Sequence, residues 1–555
     1  MTYPFENLEN FTLPALLDRS VKLYGDNDIV GKAGEDAMRY HQFNKKVLEM
    51  VELLQTNGIS KGDKVILLSE NMPNWGIAYF SVTYFGAIIV PILPDFHPAD
   101  VHHIIKHSEA KAVFVSEKYL PTIEDFEEDH INFVIKLDDL KLVDELTNQN
   151  YISKLANKIS HSINHIEKPN EDDMASLLYT SGTTGHSKGV MLSHKNLVTN
   201  AMSTYTKITI ESDNVFLSIL PLAHTLECTI GFIIPILNGA SIFYIDKAPT
   251  PSVLLKAFKV VKPTMMVSVP LIIEKIYKNK VLPQINSSII TKSLYKIPFM
   301  RKKMNIMAGK KLIEIFGGRL KFFGIGGAGL PEYVEQFLIE SKFPYIVGYG
   351  LTETAPLLAA SIHNGVQKIG STGSNVAGVE LKIKDIDPVT KTGEIIAKSP
   401  SVMLGYYKDK EKTDEVIDDG WFLTGDLGYI DDGYLFINGR SKNVIIGSGG
   451  ENIYPEQIEA RINENEVVLD SLVIMKDNKL IARVHLDYEL IDKKFGSDFD
   501  NNKKIEKDIE NLLEEMRLEV NSNISSFSRM VKFVEQVEPF TKTPTKKIKR
   551  YLYTE

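Results

Sequence analysis

The sequence contains one run of hydroxyl, glycine and lysine residues that could hold a polyphosphate. It follows a pair of leucines and consists of Tyr179, Thr180, Ser181, Gly182, Thr183, Thr184, Gly185, His186, Ser187, Lys188 and Gly189. Glycines let backbone N–H groups approach phosphate oxygens closely, and the hydroxyl and ammonium groups add further donors. The run is not a Walker A loop, because Ser187 stands where that motif requires its second glycine. We predict a phosphate-binding loop, since a flexible surface loop would not explain the concentration of hydroxyls.

A second glycine-rich segment allows two interpretations. Residues 324–329 match the pattern G-x-G-x-x-G, follow a strand-like run and precede a helix opened by Pro331. Such a turn could bind a pyrophosphate at a helix N-terminus, as in an NAD-dependent oxidoreductase. A Rossmann unit, however, carries an acidic residue about 20 positions further on, at the end of the next strand. Here Glu353 follows a further glycine turn and lies between Thr352 and Thr354, and a carboxylate flanked by hydroxyls suits Mg²⁺ beside phosphate.

Two acidic residues also have a purely structural interpretation. Glu353 could cap the N-terminus of a helix, where carboxylates stabilise unpaired N–H groups. Asp426, which follows Thr424 and Gly425, could accept both hydroxyls of a ribose or could only cap the N–H groups of a turn. The basic residues between 541 and 550, taken alone, indicate a solvated or anion-attracting segment.

The pattern of apolar runs predicts the elements that position these residues. Runs such as 64–68, 112–115 and 265–269 alternate with helix-length polar segments through most of the chain. That alternation is typical of parallel strands with crossover helices. Closely spaced short strands between 376 and 439 predict a small β-rich subdomain, and an α/β pattern returns after Arg440. We therefore predict a large N-terminal α/β domain with a β-rich subdomain, followed by a small α/β C-terminal domain.

Composition excludes several classes of protein. The 555 residues carry a net charge of -9, which argues against a protein that coats nucleic acid, and no nucleic-acid partner is expected. The single cysteine, Cys228, excludes an internal disulfide, so a reducing cytoplasm is the expected compartment. The first residues do not resemble a secretory signal. The most apolar stretch, 229–245, is interrupted by Pro235, and we predict a buried helix, a turn and a buried strand there instead of a membrane span.

The histidines and the cysteine do not predict a metal site or a nucleophile. The pairs His103/His107 and His161/His165 have the i, i+4 spacing of helical metal ligands, but no third ligand accompanies them, so we assign both to helix surfaces. Cys228 lies in an apolar segment without a basic residue close in sequence, and we predict a core residue.

A strongly basic segment lies inside this acidic chain. Between Lys275 and Lys321 there are twelve Lys or Arg residues and one acidic residue, Glu314, a local net charge of +11. Because apolar residues such as Phe299 alternate with the lysines, the segment could contact an anionic membrane. The alternatives are a solvated helix face, or a site for the phosphates of coenzyme A or for an acidic carrier protein.

Taken together and in this order, these segments resemble the adenylate-forming enzymes, which include acyl-CoA synthetases, firefly luciferase and the adenylation domains of peptide synthetases. The resemblance covers essentially the whole chain and is greatest to the long-chain fatty acyl-CoA synthetases. It rests on residues 179–189, 220–224, 262–270, 326–328, 349–353, 424–426, 439–440, 449–455 and 542–548.

The resemblance implies a two-step ligase that uses ATP, Mg²⁺ and coenzyme A as co-substrate. A fatty acid of medium or long chain would form acyl-AMP and pyrophosphate, and the thiol would then displace AMP to give acyl-CoA. Transfer to an acyl carrier protein and activation of an aryl acid are the alternatives within the family. Two alternatives lie outside the family: an NAD-dependent oxidoreductase and a non-catalytic nucleotide sensor. The intact Glu353 and Lys547 argue against the sensor. The expected location is cytoplasmic, and peripheral contact with the inner face of the membrane is one of the alternatives for the basic segment.

The resemblance also assigns individual residues. The loop from Thr180 to Lys188 would hold the β- and γ-phosphates, and Thr180 and Glu353 would bind Mg²⁺. The residues expected at the rest of the nucleotide are Gly327, Ala328 and Tyr349 at the adenine, Gly350 next to them, Thr352 at the α-phosphate, and Asp426 and Arg440 at the ribose.

Lys547 would bridge the reacting carboxylate and the α-phosphate. A lysine with its ordinary pKa is cationic at neutral pH, so its expected role is charge stabilisation and not proton transfer. Lys546 replaces the glycine that usually precedes this lysine in the family, and we assign the role to Lys547 because it directly precedes Ile548. His224 would lie at the acyl end of the pocket, or else be a core histidine. The apolar run 229–237 could line an acyl tunnel or form an ordinary core helix.

The second step would require a rotation, because Lys547 occupies the approach of the thiol. The resemblance places the hinge at Lys442 and implies an N-terminal domain at 1–438, a hinge segment at 439–443 and a mobile C-terminal domain at 444–555. Rotation would bring Gly449 and Gly450 to the active site, where glycines allow the backbone to run close to a pantetheine arm.

Overall fold

The computed structural model describes residues 8–126, 130–146, 166–180, 187–362, 365, 367–388, 390–447, 451–477, 479–495, 502–543 and 547–553. Within these residues two large sheets carry most of the strands. In spatial order, the first sheet contains Ser374–Asn375, Leu357–Ala360, Tyr345–Gly350, Phe322–Ile325, Met265–Ser268, Val215–Ser218, Ser241–Tyr244, Asp28–Lys32 and Met38–Arg39. The second contains Gly405–Tyr406, Lys188–Ser193, Met174–Thr180, Ile88–Ile92, Lys64–Leu68, Ala112–Val115, Phe133–Lys136 and Lys141–Leu142.

The central strands of both sheets pair in parallel. In the first sheet Met265 lies opposite Phe322, and in the second Ile66 lies opposite Val90. Strands such as Ala112–Val115 are buried along their whole length, as is usual where helices cover both faces of a parallel sheet. The predicted α/β fold is confirmed.

Helices cover the sheets and connect their strands. The α-helices are Leu13–Tyr24, Tyr40–Thr56, Pro73–Tyr84, Pro98–Ser108, Leu120–Glu124, His194–Thr204, Ile234–Leu237, Pro251–Val261, Pro270–Ile276, Leu282–Ile285, Ile289–Tyr295, Pro298–Ile315, Glu332–Ser341, Lys410–Val416, Pro455–Ile462, Tyr488–Phe495 and Asn502–Ser522. The 3₁₀-helices are Glu117–Tyr119, Asp144–Leu146, Thr352–Thr354, Ser441–Asn443, Ser526–Ser528 and Arg550–Leu552, and π-helical segments lie at Glu227–Ile233 and Tyr277–Val281.

The largest apolar core joins the two sheets. Its aromatic centre contains Trp75, which stacks on Tyr79 at 5.2 Å between ring centroids and meets the edge of Phe232 at 5.5 Å. Burying each large apolar side chain stabilises the fold by about 1.5–3 kcal/mol relative to exposure. This core therefore fixes the two sheets whose ends carry the site.

The predicted β-rich subdomain is present as a third sheet. Its strands are Glu380–Lys384, Gly393–Lys398, Trp421–Asp431 and Ile417–Asp418, with Tyr434–Arg440 paired to Trp421–Asp431. The central strand is 11 residues long and not short as expected. Its length places Asp426 opposite Arg440 in an antiparallel pair.

The residues after 444 form a smaller unit with its own core. A two-stranded pair of Ile445–Ile446 and Asn452–Ile453 precedes a sheet of Val468–Lys476, Lys479–Leu486 and Lys532–Glu535. The buried residues packed under this sheet come only from the segment between Ile453 and Phe533. The predicted hinge and the mobility of this unit stay predictions.

The apolar stretch 229–245 forms the buried helical turn and strand that its interruptions predicted. The π-helical segment Glu227–Ile233 continues into Ile234–Leu237, and a turn leads to the strand Ser241–Tyr244. None of the helices in the described part of the chain combines the length and apolar character that crossing a bilayer requires.

Candidate active site

The predicted phosphate-binding loop connects two neighbouring strands. Thr180 ends the strand Met174–Thr180, Lys188 begins the strand Lys188–Ser193, and the two residues are partners in the antiparallel pair. The loop between them therefore starts and ends at one point of the second sheet. Its predicted ligands lie outside the described residues, and their roles stay predictions: Ser181, Gly182, Thr183, Thr184 and Gly185.

Glu353 lies beside this hairpin, in the 3₁₀-helix that follows the strand Tyr345–Gly350. Its Oε1 accepts a hydrogen bond of 3.0 Å from the hydroxyl of Tyr406, and the ammonium of Lys188 lies 5.1 Å from the centre of the same ring. Burial and the Glu353 carboxylate raise the pKa of Tyr406, so the phenol stays protonated and donates. The carboxylate does not cap the helix: the hydroxyl of Thr354 accepts from the N–H of Leu351 instead.

The turn that carries Glu353 is sterically tight. A side chain at Gly350 would place its Cβ 1.8 Å from the carbonyl oxygen of Pro356, so only glycine fits there. Thr352 contacts Thr225, whose hydroxyl donates to it at 3.3 Å. The tight turn thereby brings Thr352 and the segment directly after His224 together.

Asp426 is buried at the centre of the third sheet and is held from two sides. Its Oδ2 accepts from the hydroxyl of Tyr349 at 2.8 Å, and its Oδ1 forms an ion pair with Nε of Arg440 at 2.7 Å. Asp426 therefore does not serve as a turn cap, which was the structural alternative. The pair joins the first sheet, through Tyr349, to the end of the third.

Lys547 reaches this group from the C-terminal unit on a closed hairpin. Lys542 and Ile548 form a bridge, the N–H of Thr543 donates to the carbonyl of Lys547 at 2.7 Å, and the N–H of Lys547 donates to the Thr543 hydroxyl at 3.1 Å. Lys546 lies outside the described residues. The hairpin fixes the backbone on both sides of Lys547, although its tip is not described.

Four cations converge here from three segments that are distant in sequence: Lys188, the pair Arg440 and Lys442, and Lys547. Burial and the guanidinium of Arg440 lower the pKa of Lys547, while the carboxylates of Asp426 and Glu353 oppose that shift. Burial also lowers the pKa of Lys442 to about 8, and the neighbouring cations Arg440, Lys547 and Lys188 lower this pKa further. Both lysines are exposed to solvent, so a ligand can reach this group of four cations, here termed the cleft. An anion in this cleft would relieve the mutual repulsion.

His224 lies close enough to Lys547 to interact with its charge. It is half-buried, and its Nδ1 accepts from the N–H of Leu226 at 3.2 Å. Burial and then the charge of Lys547 lower the pKa of His224 to about 4, so the imidazole is neutral at pH 7. It is thus neither a fully buried core residue nor a cation.

The second glycine turn follows the carboxyl end of the strand Phe322–Ile325, which lies between two other strands of the first sheet. The N–H of Gly326 donates to the carbonyl of Ser268 at 3.2 Å, and Gly327 has a φ of +85°, which favours glycine. Gly327 and Ala328 are exposed, so a flat ring could lie against their backbone.

The remaining sequence predictions fall outside this cluster. Cys228 is buried as predicted, and burial raises the pKa of its thiol to about 12. His103 and His107 stack on the helix Pro98–Ser108, but His107 is half-buried and hydrogen-bonds to the Tyr179 hydroxyl at 2.8 Å, so its position is structural. No group of three potential metal ligands of the His, Cys, Asp or Glu type occurs in the described ranges. His161, His165, Gly449 and Gly450 lie outside those ranges.

Sequence reasoning missed two residues of the site. Tyr406 links Glu353 with Lys188, and Thr225 supports Thr352. A single tyrosine or threonine carries no motif of its own. The only available signal for Thr225 was its place directly after His224.

Comparisons with known proteins agree with this geometry. A family model described as AMP-binding enzyme matches residues 17–407. Long chain acyl-CoA synthetase 7, peroxisomal, of Arabidopsis thaliana is 29% identical over 541 residues, covering 89% of this chain and 76% of that protein. A long-chain-fatty-acid--CoA ligase of Salmonella typhimurium is 28% identical over 481 residues, covering 81% of this chain and 80% of that protein.

Solved structures give the same fold. A benzoate CoA ligase from Burkholderia xenovorans LB400 superposes with a TM-score of 0.77 at 20% identity, covering 99% of this chain and 100% of that chain. These matches leave the NAD-dependent oxidoreductase without support. Because the family match covers more than half of the chain and includes the strands that position Glu353 and Lys188, this protein belongs to the AMP-binding enzyme family.

Proposed function

We propose that this protein is an ATP-dependent ligase that joins a fatty acid of medium or long chain to coenzyme A through an acyl-AMP intermediate. The observation that carries the proposal is the convergence of four cations on one cleft beside Glu353. Lys188, the pair Arg440 and Lys442, and Lys547 come from three distant segments, and a strongly anionic ligand would offset their mutual repulsion.

In the first step, a carboxylate oxygen of the acid attacks the α-phosphorus of ATP, and the bond to the β-phosphate breaks as pyrophosphate leaves. Lys547 stabilises charge at the reacting carboxylate and the α-phosphate, and Thr352 contacts the same phosphate. Lys188 and the loop that begins at Thr180 hold the β- and γ-phosphates. Cations fixed in advance stabilise the developing charge without reorganising.

The ribose and the adenine bind on the opposite wall. Asp426 accepts the ribose hydroxyls and is kept in place by Tyr349 and Arg440. The exposed backbone of Gly327 and Ala328 packs against the adenine ring.

The oxygen ligands for Mg²⁺ fit the same corner. Oε2 of Glu353 accepts no hydrogen bond from the described residues, and the Thr180 hydroxyl ends the strand before the phosphate loop. Carboxylate, hydroxyl and phosphate oxygens are the donors that Mg²⁺ takes, and the bound ion supplies neutralisation of phosphate charge.

In the second step, the sulfur of coenzyme A attacks the acyl carbon, the bond to AMP breaks, and the thiol proton leaves to solvent. The C-terminal unit rotates about Lys442, which withdraws Lys547 and brings the segment of Gly449 and Gly450 to the site. The glycines leave room for a pantetheine arm.

The proposed acid is a fatty acid because the curated relatives are named for long-chain substrates. The neutral His224 fits a place between carboxylate and chain, and the apolar residues of Glu227–Ile233 and Ile234–Leu237 that follow it are available to line the chain. We keep an acyl carrier protein as an alternative thiol acceptor, an anionic membrane as a partner and the cytoplasm as the location.

A pyrophosphate-release assay over acids from acetate to a C20 acid, with and without coenzyme A, tests this function. We expect ATP-dependent release that is greatest with medium or long chains, and acyl-CoA formation when coenzyme A is added. Absence of pyrophosphate release with every acid tested would contradict adenylation. If acyl-AMP accumulates in the presence of coenzyme A but is consumed when a carrier protein is added, the carrier protein is the thiol acceptor instead of coenzyme A.

A further inference from the structure

Part of the basic segment, residues 289–315, forms a helical hairpin with four exposed apolar side chains, termed the apolar tip: Ile289, Ile290, Ile297 and Phe299. The helices Ile289–Tyr295 and Pro298–Ile315 meet at a short turn. At the start of the first helix the exposed fractions are 86% for Ile289 and 72% for Ile290, and at the turn they are 50% for Ile297 and 66% for Phe299. Side chains of this size are normally withdrawn from water, and a cluster of them on a charged surface indicates an interaction site.

The structure divides the twelve basic residues of this segment into two groups. One group is used inside the protein: Lys278 pairs with Glu274, Arg301 with Glu340 and Lys321 with Glu211, and Arg319 donates to the carbonyls of Lys262 and Val261. The other group forms no ion pair with the described residues and is exposed: Lys275, Lys280, Lys292, Lys296, Lys302, Lys303, Lys310 and Lys311. The second group is available to an external partner.

Lysines of this second group border the apolar tip. Lys292 and Lys296 lie on the first helix or directly after it, and Lys303 places its ammonium 4.5 Å from the ring centre of Phe299. A cation held beside an exposed ring matches an interface where the ring enters an apolar layer and the charge stays at its polar boundary.

The hairpin is also rigidly attached. Arg301 donates to both oxygens of Glu340 at 2.8–3.1 Å, and Asn305 donates to Oε2 of the same buried carboxylate at 2.7 Å. The hydroxyl of Tyr295 donates to Oδ1 of Asn305 at 3.0 Å and so ties the first helix to the second. Because the tip has a fixed support, its exposed residues do not need to be ordered on contact, which lowers the cost of binding.

We propose that this hairpin is a docking surface for an anionic lipid bilayer, with the isoleucines and Phe299 inserted at the headgroup level and the exposed lysines on the lipid phosphates. Charge complementarity selects this occupant, since the exposed Lys292, Lys296 and Lys303 beside exposed apolar side chains fit a surface that is negative outside and apolar beneath. The proposal rests on the proposed function only for its purpose, because long-chain acids partition into membranes.

Co-sedimentation of the full chain with vesicles tests the surface without measuring catalysis. With equal amounts of phosphatidylcholine and phosphatidylglycerol at low salt, we expect binding that weakens in high salt and is lost with phosphatidylcholine alone. The variant I289S/I290S/F299S should bind at least about tenfold more weakly. The variant K292E/K296E/K303E should lose about fivefold or more per residue.

A matched control changes exposed residues elsewhere. Leu518 is 56% exposed and Lys507 is exposed on the helix Asn502–Ser522, so L518S/K507E should leave vesicle binding unchanged. Binding that ignores lipid charge, salt and both hairpin variants would overturn the proposal, and so would an equal loss in the control. Pyrophosphate release with a soluble acid is measured on the same preparations, so failure of the docking surface is distinguished from failure of the ligase function.

Discussion

Two groups of cations in this protein arise in opposite ways. The cations of the cleft come from distant segments and lie beside carboxylates, whereas the lysines of the hairpin come from one contiguous segment and lie beside apolar side chains. In the cleft, burial and neighbouring cations lower the pKa values of Lys442 and Lys547. On the hairpin, water screens the charges from one another. The cleft should therefore respond to single substitutions, and the hairpin only to several together.

The largest expected effect belongs to Lys547. Lys547→Ala should reduce adenylate formation by about 10²–10³-fold, because one preorganised contact to the developing charge is lost. Thioester formation from supplied acyl-AMP should persist, since Lys547 has left the site in that step. Pyrophosphate release and acyl-CoA formation from acyl-AMP measure the two half-reactions, with Lys549→Ala as the matched control. Equal loss of both half-reactions would contradict the rotation about Lys442.

A smaller effect is expected at Tyr406. Tyr406→Phe removes the hydrogen bond to Glu353 but keeps the ring below Lys188. A hydrogen bond to a charged group is worth about 1.5–3 kcal/mol, so activity at limiting Mg²⁺ should fall by roughly tenfold or more. Saturating Mg²⁺ should restore part of it. A defect that is unchanged across a Mg²⁺ titration would remove Glu353 from the proposed metal site.

Lys442 should make the cleft sensitive to pH. The folded pKa of Lys442 is about 8, lowered from 10.5, so the charge is present below that pH and is lost as pH rises through it. The KM for ATP should therefore rise several-fold on the alkaline side in the unmodified enzyme. Lys442→Arg, which stays charged, should flatten that rise. A pH profile identical in both proteins would show that Lys442 does not face the phosphates.

The lowered pKa of Lys442 also makes the free energy of unfolding depend on pH. A lysine whose folded pKa lies below its unfolded value disfavours the folded state while it is charged, so its penalty is greatest below about pH 8 and disappears above the unfolded pKa. ATP should reduce this penalty by supplying negative charge. The thermal shift produced by ATP should accordingly be larger at neutral pH than at alkaline pH.

The smallest effect is expected from the hairpin. The variant K292E/K296E/K303E should change kcat and KM for a short, soluble acid by less than about twofold, because these charges are solvated and lie outside the cleft. Activity with a soluble acid in the absence of vesicles measures this. A loss of activity as large as that of Tyr406→Phe would mean that the lysines of the hairpin contribute to the reaction in the cleft.

The sequence predicted most of the fold because continuous apolar runs such as 112–115 leave few options besides buried parallel strands. Glycines and charges in a recognisable order also singled out Lys188, Glu353, Asp426 and Lys547, which the structure brings near one another, while their roles stay predictions. Burial, register and pairing were not readable from it. The resemblance placed Asp426 and Arg440 at the same ribose, but it did not indicate that they are partners across two strands. Nor did the sequence indicate that Arg301 pairs with Glu340 and is therefore unavailable to an external partner.

The position of Arg440 has a consequence for the order of events. Arg440 ends a strand, holds Asp426 and directly precedes the 3₁₀-helix Ser441–Asn443, which contains the proposed hinge. The proposed nucleotide site and the connector thus share one stretch of backbone. A bound nucleotide would hold one end of the connector in place, so that rotation of the C-terminal unit would depend on which ligand the cleft contains.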